Sequence, residues 1–273
     1  VITIERLQAE DFTPDTSLTY IDTNQLYPIF DKLAFRANVI LVGPKGIAKT
    51  LSIASWAAQR SCPILTFDCS EDVRRSHLIG NYILRGDETP FVLGPLTTAI
   101  EIANERGECI LCLEEINALT PQMQKVLNPL GDFRRRIEVP ECSKVFRLRE
   151  DARLWLCGTM NTSVYGGVYE LNEDLKSRFR MVPLNYPTKK AEEAIIAEVV
   201  KASTVPKATI KSILTLAHET RQKSLDYALS TRDVVQIIED IEASDLDTAL
   251  RLASGKFEGQ DRDVFLKRAK STF

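Results

Sequence analysis

The chain has 273 residues, 44% hydrophobic and 27% charged, with a net charge of −3 at neutral pH. That supplies the core of one large domain, or of a large and a small one, at the charge content of a soluble globular protein. The slight acidity argues against a chain devoted to nucleic acid, which shows a basic excess, and no apolar run reaches the roughly 20 residues of a membrane helix.

The opening residues Val1-Ile2-Thr3-Ile4-Glu5-Arg6 lack the basic-then-apolar layout of a signal peptide. A cytoplasmic location and six reduced cysteines are therefore expected. In chain order, residues 38–42 are predicted as a strand ending at Gly43, 49–60 as a helix and 63–67 as a second strand. Residues 82–93 hold two short apolar runs around Gly86-Asp87-Glu88-Thr89-Pro90, the pattern of a hairpin. Strands follow at 109–113, 154–158 and 181–184. Strands alternating with helices predict an α/β core with a mainly parallel sheet covered on both faces. After Tyr186-Pro187 the strand-like runs stop. Residues 190–201, 207–221, 231–241, 247–253 and 262–270 carry helical apolar spacing. The expected organisation is an α/β core over residues 1–186 and a small all-helical domain over 187–273.

Cys109 and Cys112 form a CxxC, a spacing used by redox and zinc sites. The pair lies inside an apolar strand, where side chains three residues apart point to opposite faces. No second CxxC or His pair follows, so two small buried residues are expected. His77 and His218 are isolated and read as structural. Phe133-Arg134-Arg135-Arg136 is a basic run that reads as a solvated or subunit-facing edge rather than a pore or nucleic-acid contact. Thr120-Pro121 with Met123, Val126 and Leu127 reads as a helix cap, a first-turn proline and a core face.

The chemistry begins at Gly43-Pro44-Lys45-Gly46-Ile47-Ala48-Lys49-Thr50-Leu51, which leaves a predicted strand and enters the helix predicted over 49–60. That is the context of a phosphate-binding loop. A sharp turn off a strand aims successive backbone N–H groups inward, and the helix N-terminus adds positive potential. Lys49 would reach the β- and γ-phosphates of ATP, and the Thr50 hydroxyl would ligate Mg²⁺. The usual last glycine of the pattern is Ala48, tolerable where that residue is helical. A second constellation, Ile110-Leu111-Cys112-Leu113-Glu114-Glu115, is an apolar strand ending in two carboxylates. At the C-terminal edge of an open α/β sheet such groups face the ligand crevice. Glu114, where most such proteins have Asp, would hold the Mg²⁺, and Glu115 would polarise the attacking water.

Leu78-Ile79-Gly80-Asn81-Tyr82, Gly94-Pro95-Leu96 and Leu113-Glu114-Glu115-Ile116-Asn117 follow one another in order. On these pieces the chain resembles the MoxR branch of AAA+ ATPases, with CbbQ, NorQ, GvpN and CobS, over residues 24–233. The resemblance implies a P-loop core with a hairpin inserted before the metal-binding strand, followed by a small helical lid. It implies ATP between core and lid, and a homo-oligomeric, hexameric ring. By the same resemblance Asn161 is the sensor 1 residue and Arg178 an arginine finger reaching the neighbouring subunit, with Arg180 a weaker candidate. Arg232 in Ser230-Thr231-Arg232-Asp233 resembles sensor 2. The glycine-containing residues 162–167 have the make-up of a mobile loop linking nucleotide state to the subunit interface. The implied partner is a client protein, in many relatives one with a von Willebrand A domain, remodelled, activated or loaded with a metal or cofactor. Two alternatives stay open. One is a nucleotide-driven DNA motor in the manner of MCM or McrB, since residues 158–162 resemble McrB but lack the Asp that follows there. The other is a nucleotide-binding switch with negligible turnover, to which Ala48 and Glu114 give support.

Overall fold

The computed structural model describes residues 3–161, 169–222 and 225–273. The chain forms two compact units, one from residues 1–43 and 49–184, the other from 44–48 and 185–273.

The first unit contains, in chain order, β1 (Ile4–Glu5), α1 (Leu26–Lys32), β2 (Asn38–Val42), α2 (Lys49–Arg60), β3 (Ile64–Asp68), α3 (Arg75–Ile79), β4 (Gly80–Tyr82), β5 (Phe91–Leu93), α4 (Pro95–Arg106), β6 (Glu108–Glu114), α5 (Pro121–Gly131), β7 (Arg136–Val139), β8 (Lys144–Arg147), β9 (Arg153–Met160), α6 (Glu173–Lys176) and β10 (Phe179–Pro183). Five strands make one parallel sheet in the order β10-β2-β9-β6-β3. The three central strands β2, β9 and β6 read as near-continuous apolar runs and are buried along most of their length. In β6 the five residues between Glu108 and Glu114 are all buried. Cys109 and Cys112 are two of them, free thiols that burial pushes well above their ordinary pKa. A thiol kept protonated in this way is a poor nucleophile and a poor metal ligand.

The hairpin anticipated between the second and third core strands is β4 with β5, antiparallel, with Gly80 opposite Leu93. β1 adds a third, parallel strand along β5. The two glycines of the Leu-Ile-Gly and Gly-Pro-Leu segments close its base. A Cβ on Gly94 would sit 2.6 Å from the Leu78 carbonyl oxygen, and one on Gly80 (φ 132°) 2.4 Å from that of Val92. Backbone approaches backbone there too closely for a side chain. A second hairpin, β7 with β8, has no counterpart in the sequence reading. The Thr120 hydroxyl accepts from the Met123 N–H at 3.4 Å, capping α5 as expected, and Pro121 occupies its first turn.

The second unit is helical: α7 (Lys189–Val199), α8 (Lys207–Gln222), α9 (Thr231–Ala243), α10 (Leu246–Ser254) and α11 (Gly259–Thr272). It has its own core, built on Ile213, Leu216, Ile237, Ala249 and Phe265. Ser230 caps α9 in a capping box, accepting from the Asp233 N–H while Asp233 accepts from the Ser230 N–H. No helix among the described residues is long and apolar enough to cross a membrane.

Candidate active site

Because β2, β9, β6 and β3 are parallel, their C-terminal ends meet along one edge of the sheet. β2 leads to Gly43, β6 to Glu114 and Glu115, and β9 to Asn161. Lys49, the first residue of α2, is buried, and its Nζ donates to the Gly43 carbonyl at 2.9 Å and to Asn161 Oδ1 at 2.8 Å. Asn161 Nδ2 in turn donates to Glu115 Oε1 at 2.9 Å. Thr50 Oγ1 donates to Glu114 Oε2 at 2.7 Å. Residues from three separate sequence motifs thus stand in hydrogen-bond contact. Strand alternation alone would send Glu114 and Glu115 to opposite faces. The left-handed backbone at Glu115 (φ 49°, ψ 47°) ends the strand between them, and its N–H donates to Thr159 Oγ1 at 3.2 Å.

This arrangement fits a metal-bound polyphosphate. A hydroxyl and a carboxylate in contact are the hard oxygen donors Mg²⁺ takes, a buried ammonium supplies the counter-charge, and a second carboxylate held by an amide stands beside them. The backbone of the connecting loop is left-handed at Gly46 (φ 72°) and at Ala48 (φ 62°). Ala48 is therefore not helical, contrary to the condition set for it above. Alanine in this region costs about 1–2 kcal/mol against the right-handed alternative. The loop accepts that strain to keep a turn that glycine makes freely.

Arg178 lies elsewhere. It immediately precedes β10, whose first residue Phe179 is in register with Asn38, the first residue of β2. It therefore stands at the edge of the sheet opposite to Glu115. The five paired residues of β2 and β10 span about 17 Å, beyond the reach of an arginine side chain. Arg180, on β10, is exposed. Arg232 is an exposed residue in the first turn of α9 in the helical unit. Residues 162–167 lie outside the described residues. The arginine run 134–136 is not one basic surface. Arg134 pairs with Asp132 and Arg136 with Glu138. Arg135 is 5% exposed, and its guanidinium donates to Asn38 Oδ1 and to the Arg36 carbonyl. His77 is exposed, its Nδ1 accepting from the Arg74 N–H, while His218 stands against Glu192 at 2.9 Å.

Residues 38–179 match the AAA domain family of the dynein-related subfamily, and the chain belongs to that family. It is an AAA ATPase of the MoxR, CbbQ and NorQ kind. It is 28% identical to protein CbbQ of Hydrogenophilus thermoluteolus over 205 residues, 74% of this chain and 73% of that one. It is also 28% identical to protein NorQ of Paracoccus denitrificans over 200 residues, 72% of this chain and 70% of the relative. Among solved structures, NtrX of Brucella abortus in complex with ADP superposes with a TM-score of 0.51 at 17% identity. That alignment covers 84% of this chain and 53% of NtrX, a likeness of fold.

Proposed function

We propose that this chain binds ATP with Mg²⁺ and hydrolyses it as one subunit of a ring, six-membered by family resemblance, that remodels or activates a partner protein. The observation that carries the reading is the contact chain Lys49–Asn161–Glu115 beside Thr50–Glu114 at one sheet edge. Residues 43–51 would cradle the phosphates through backbone N–H groups, with Lys49 on the β- and γ-phosphates. Mg²⁺, held through Thr50 and Glu114, would neutralise charge building on the transferred phosphoryl group. Glu115 orients the attacking water and draws on its proton. Asn161 holds Glu115 in place and can donate to the water or the γ-phosphate.

A ring is supported by the position of Arg178. An arginine across the sheet from its own Glu115 can serve only another subunit's phosphate. There its planar guanidinium stabilises the charge of transfer. A protein client suits the slight acidity of the chain and the pairing or burial of the three arginines at 134–136.

Mixing subunits tests the reading. Glu115→Gln and Arg178→Ala chains should each be nearly inactive. Co-assembled, they form some interfaces with an intact Glu115 pocket and an intact Arg178 donor, and phosphate release should reappear as subunits exchange. Proven co-assembly without rescue, together with hydrolysis by isolated wild-type monomers, would remove both the assignment in trans and the ring.

A further inference from the structure

The sheet edge that carries Arg178 also carries a set of polar contacts that the proposed chemistry leaves unused. Asn38 is 1% exposed. Its amide donates to the carbonyls of Gly131 at 2.9 Å and of Arg178 at 3.0 Å, and its Oδ1 accepts from Arg135 Nη1 at 3.3 Å. One buried side chain therefore ties the end of α5 to the backbone of Arg178. The residue after α5 is Asp132. Its carboxylate accepts from the Arg134 N–H at 2.9 Å and from the Arg134 guanidinium at 2.7–3.2 Å. Its Oδ2 also stands 3.8 Å from Arg178 Nη2. Arg178 Nη1 donates to the Asp174 carbonyl, and its Nε is buried with no hydrogen-bond partner.

Resting on the reading of Arg178 as a donor in trans, we propose that Asp132 is its positioning residue, holding the guanidinium at the subunit edge and able to release it to a neighbour's phosphate. Three guanidinium groups, of Arg134, Arg135 and Arg178, crowd this end of the sheet. Asp132 faces two of them, one tightly and one loosely. The loose partner is the one with work to do elsewhere. When Arg178 turns to a phosphate, Arg134 still neutralises Asp132, so no carboxylate is left unpaired and partly buried, which is the costly outcome when an ion pair is broken. The attraction of Arg134 and Arg178 also holds the Asp132 carboxyl below its usual pKa, led by the Arg134 hydrogen bond, so it stays charged through the neutral range. The backbone bond through which Asp132 closes α5, from its N–H to the Asn128 carbonyl, does not depend on that charge.

The test is Asp132→Asn, which keeps shape and removes charge. In assembled rings kcat for ATP should fall about tenfold, short of the 10³–10⁵ an arginine finger is worth. KM for ATP should stay unchanged, because the pocket that binds belongs to the neighbour. Asp132→Glu should recover part of kcat. In an Arg178→Ala background, read by single turnover, Asp132→Asn should cost nothing more. Equal losses in both backgrounds, a change confined to KM, or failure of the Asn variant to fold or assemble would make Asp132 merely structural and overturn the inference. A fully active Asp132→Asn chain beside an inactive Arg178→Ala chain would sink this inference alone. A fully active Arg178→Ala chain would sink the finger reading and this inference together.

Discussion

Glu192 in the helical unit is fully buried and its bonds are filled. Arg221 meets both of its oxygens at 2.7 and 2.8 Å, Thr231 Oγ1 donates to Oε1, and His218 stands against Oε2. Arg221 itself is spoken for, its Nε donating to the Leu229 carbonyl. At the sheet edge the acids are differently placed. Among the described residues Glu114 takes a side-chain bond from Thr50 and Glu115 one from Asn161. An ionised carboxylate accepts up to about four hydrogen bonds, so both keep capacity for a metal or a water. The two clusters are alike in residue type and in the presence of buried charge. They differ in bonding capacity left over, and on the proposed function that, not burial, would separate a site from a strut.

The sharpest way to break this comparison is Lys49→Ala. It removes the buried cation of the open cluster, and ATP–Mg²⁺ affinity measured by calorimetry should weaken more than ~100-fold, about 2.7 kcal/mol, with the urea midpoint little changed. Unchanged affinity would make the open cluster a strut as well. Glu192→Ala should do the reverse. It strands the buried Arg221 guanidinium at a cost of about 3–5 kcal/mol, read as a fall in the urea midpoint. The variant, where folded, should lose far less ATP affinity than Lys49→Ala does. If it loses as much, the filled cluster is part of the site.

The smallest effect concerns His218. Burial depresses its pKa below 6.5, against the pull of Glu192 and with the repulsion of Arg221 and Lys189. The unfolded chain therefore binds this proton more readily than the folded one. The stabilisation is fully present above pH 6.5 and is lost as pH falls through that value toward the folded pKa. Urea titrations at pH 7.5 and 5.5 should show His218→Gln losing less stability on acidification than the parent, by a fraction of the Glu192→Ala effect. An identical pH slope in both would mean that His218 titrates as freely when folded as when unfolded.

Much of the fold was legible because parallel strands buried on both faces are continuous apolar runs, as in β6 and β9, and because the helices of the second unit carry clear spacing. The β7–β8 hairpin was missed although Arg136-Ile137-Glu138-Val139 alternates polar and apolar in the two-residue period of a strand. The short β1 and α1 were passed over as well. Lys49, Thr50, Glu114, Glu115 and Asn161 could be picked out because each follows a strand or opens a helix within a local motif. Asn38 and Asp132 had no such mark. Asn38 bonds Arg178 across 140 positions, and nothing in its own neighbourhood announces it. In sequence Arg135 groups with its neighbours as a solvated or subunit-facing edge. Its burial follows from a left-handed turn (φ 43°) that folds it under Asn38, which local spacing does not report.

The placement of Glu115 and Arg178 at opposite edges of one sheet has a consequence for symmetry. In a two-fold dimer residue i meets the partner's residue j and j meets i, so a pair would have to bury both sheet edges in one patch to set each Arg178 against the partner's Glu115. Heterologous, head-to-tail contacts join one edge to the other without that demand, and such contacts either close by rotation or grow without end. On the proposed assignment in trans, each chain of such an assembly would belong to two active sites, giving an arginine to one and a pocket to the other. A single inert subunit would silence two junctions of the assembly, and a break in the circle would leave one pocket without a donor and one donor without a pocket.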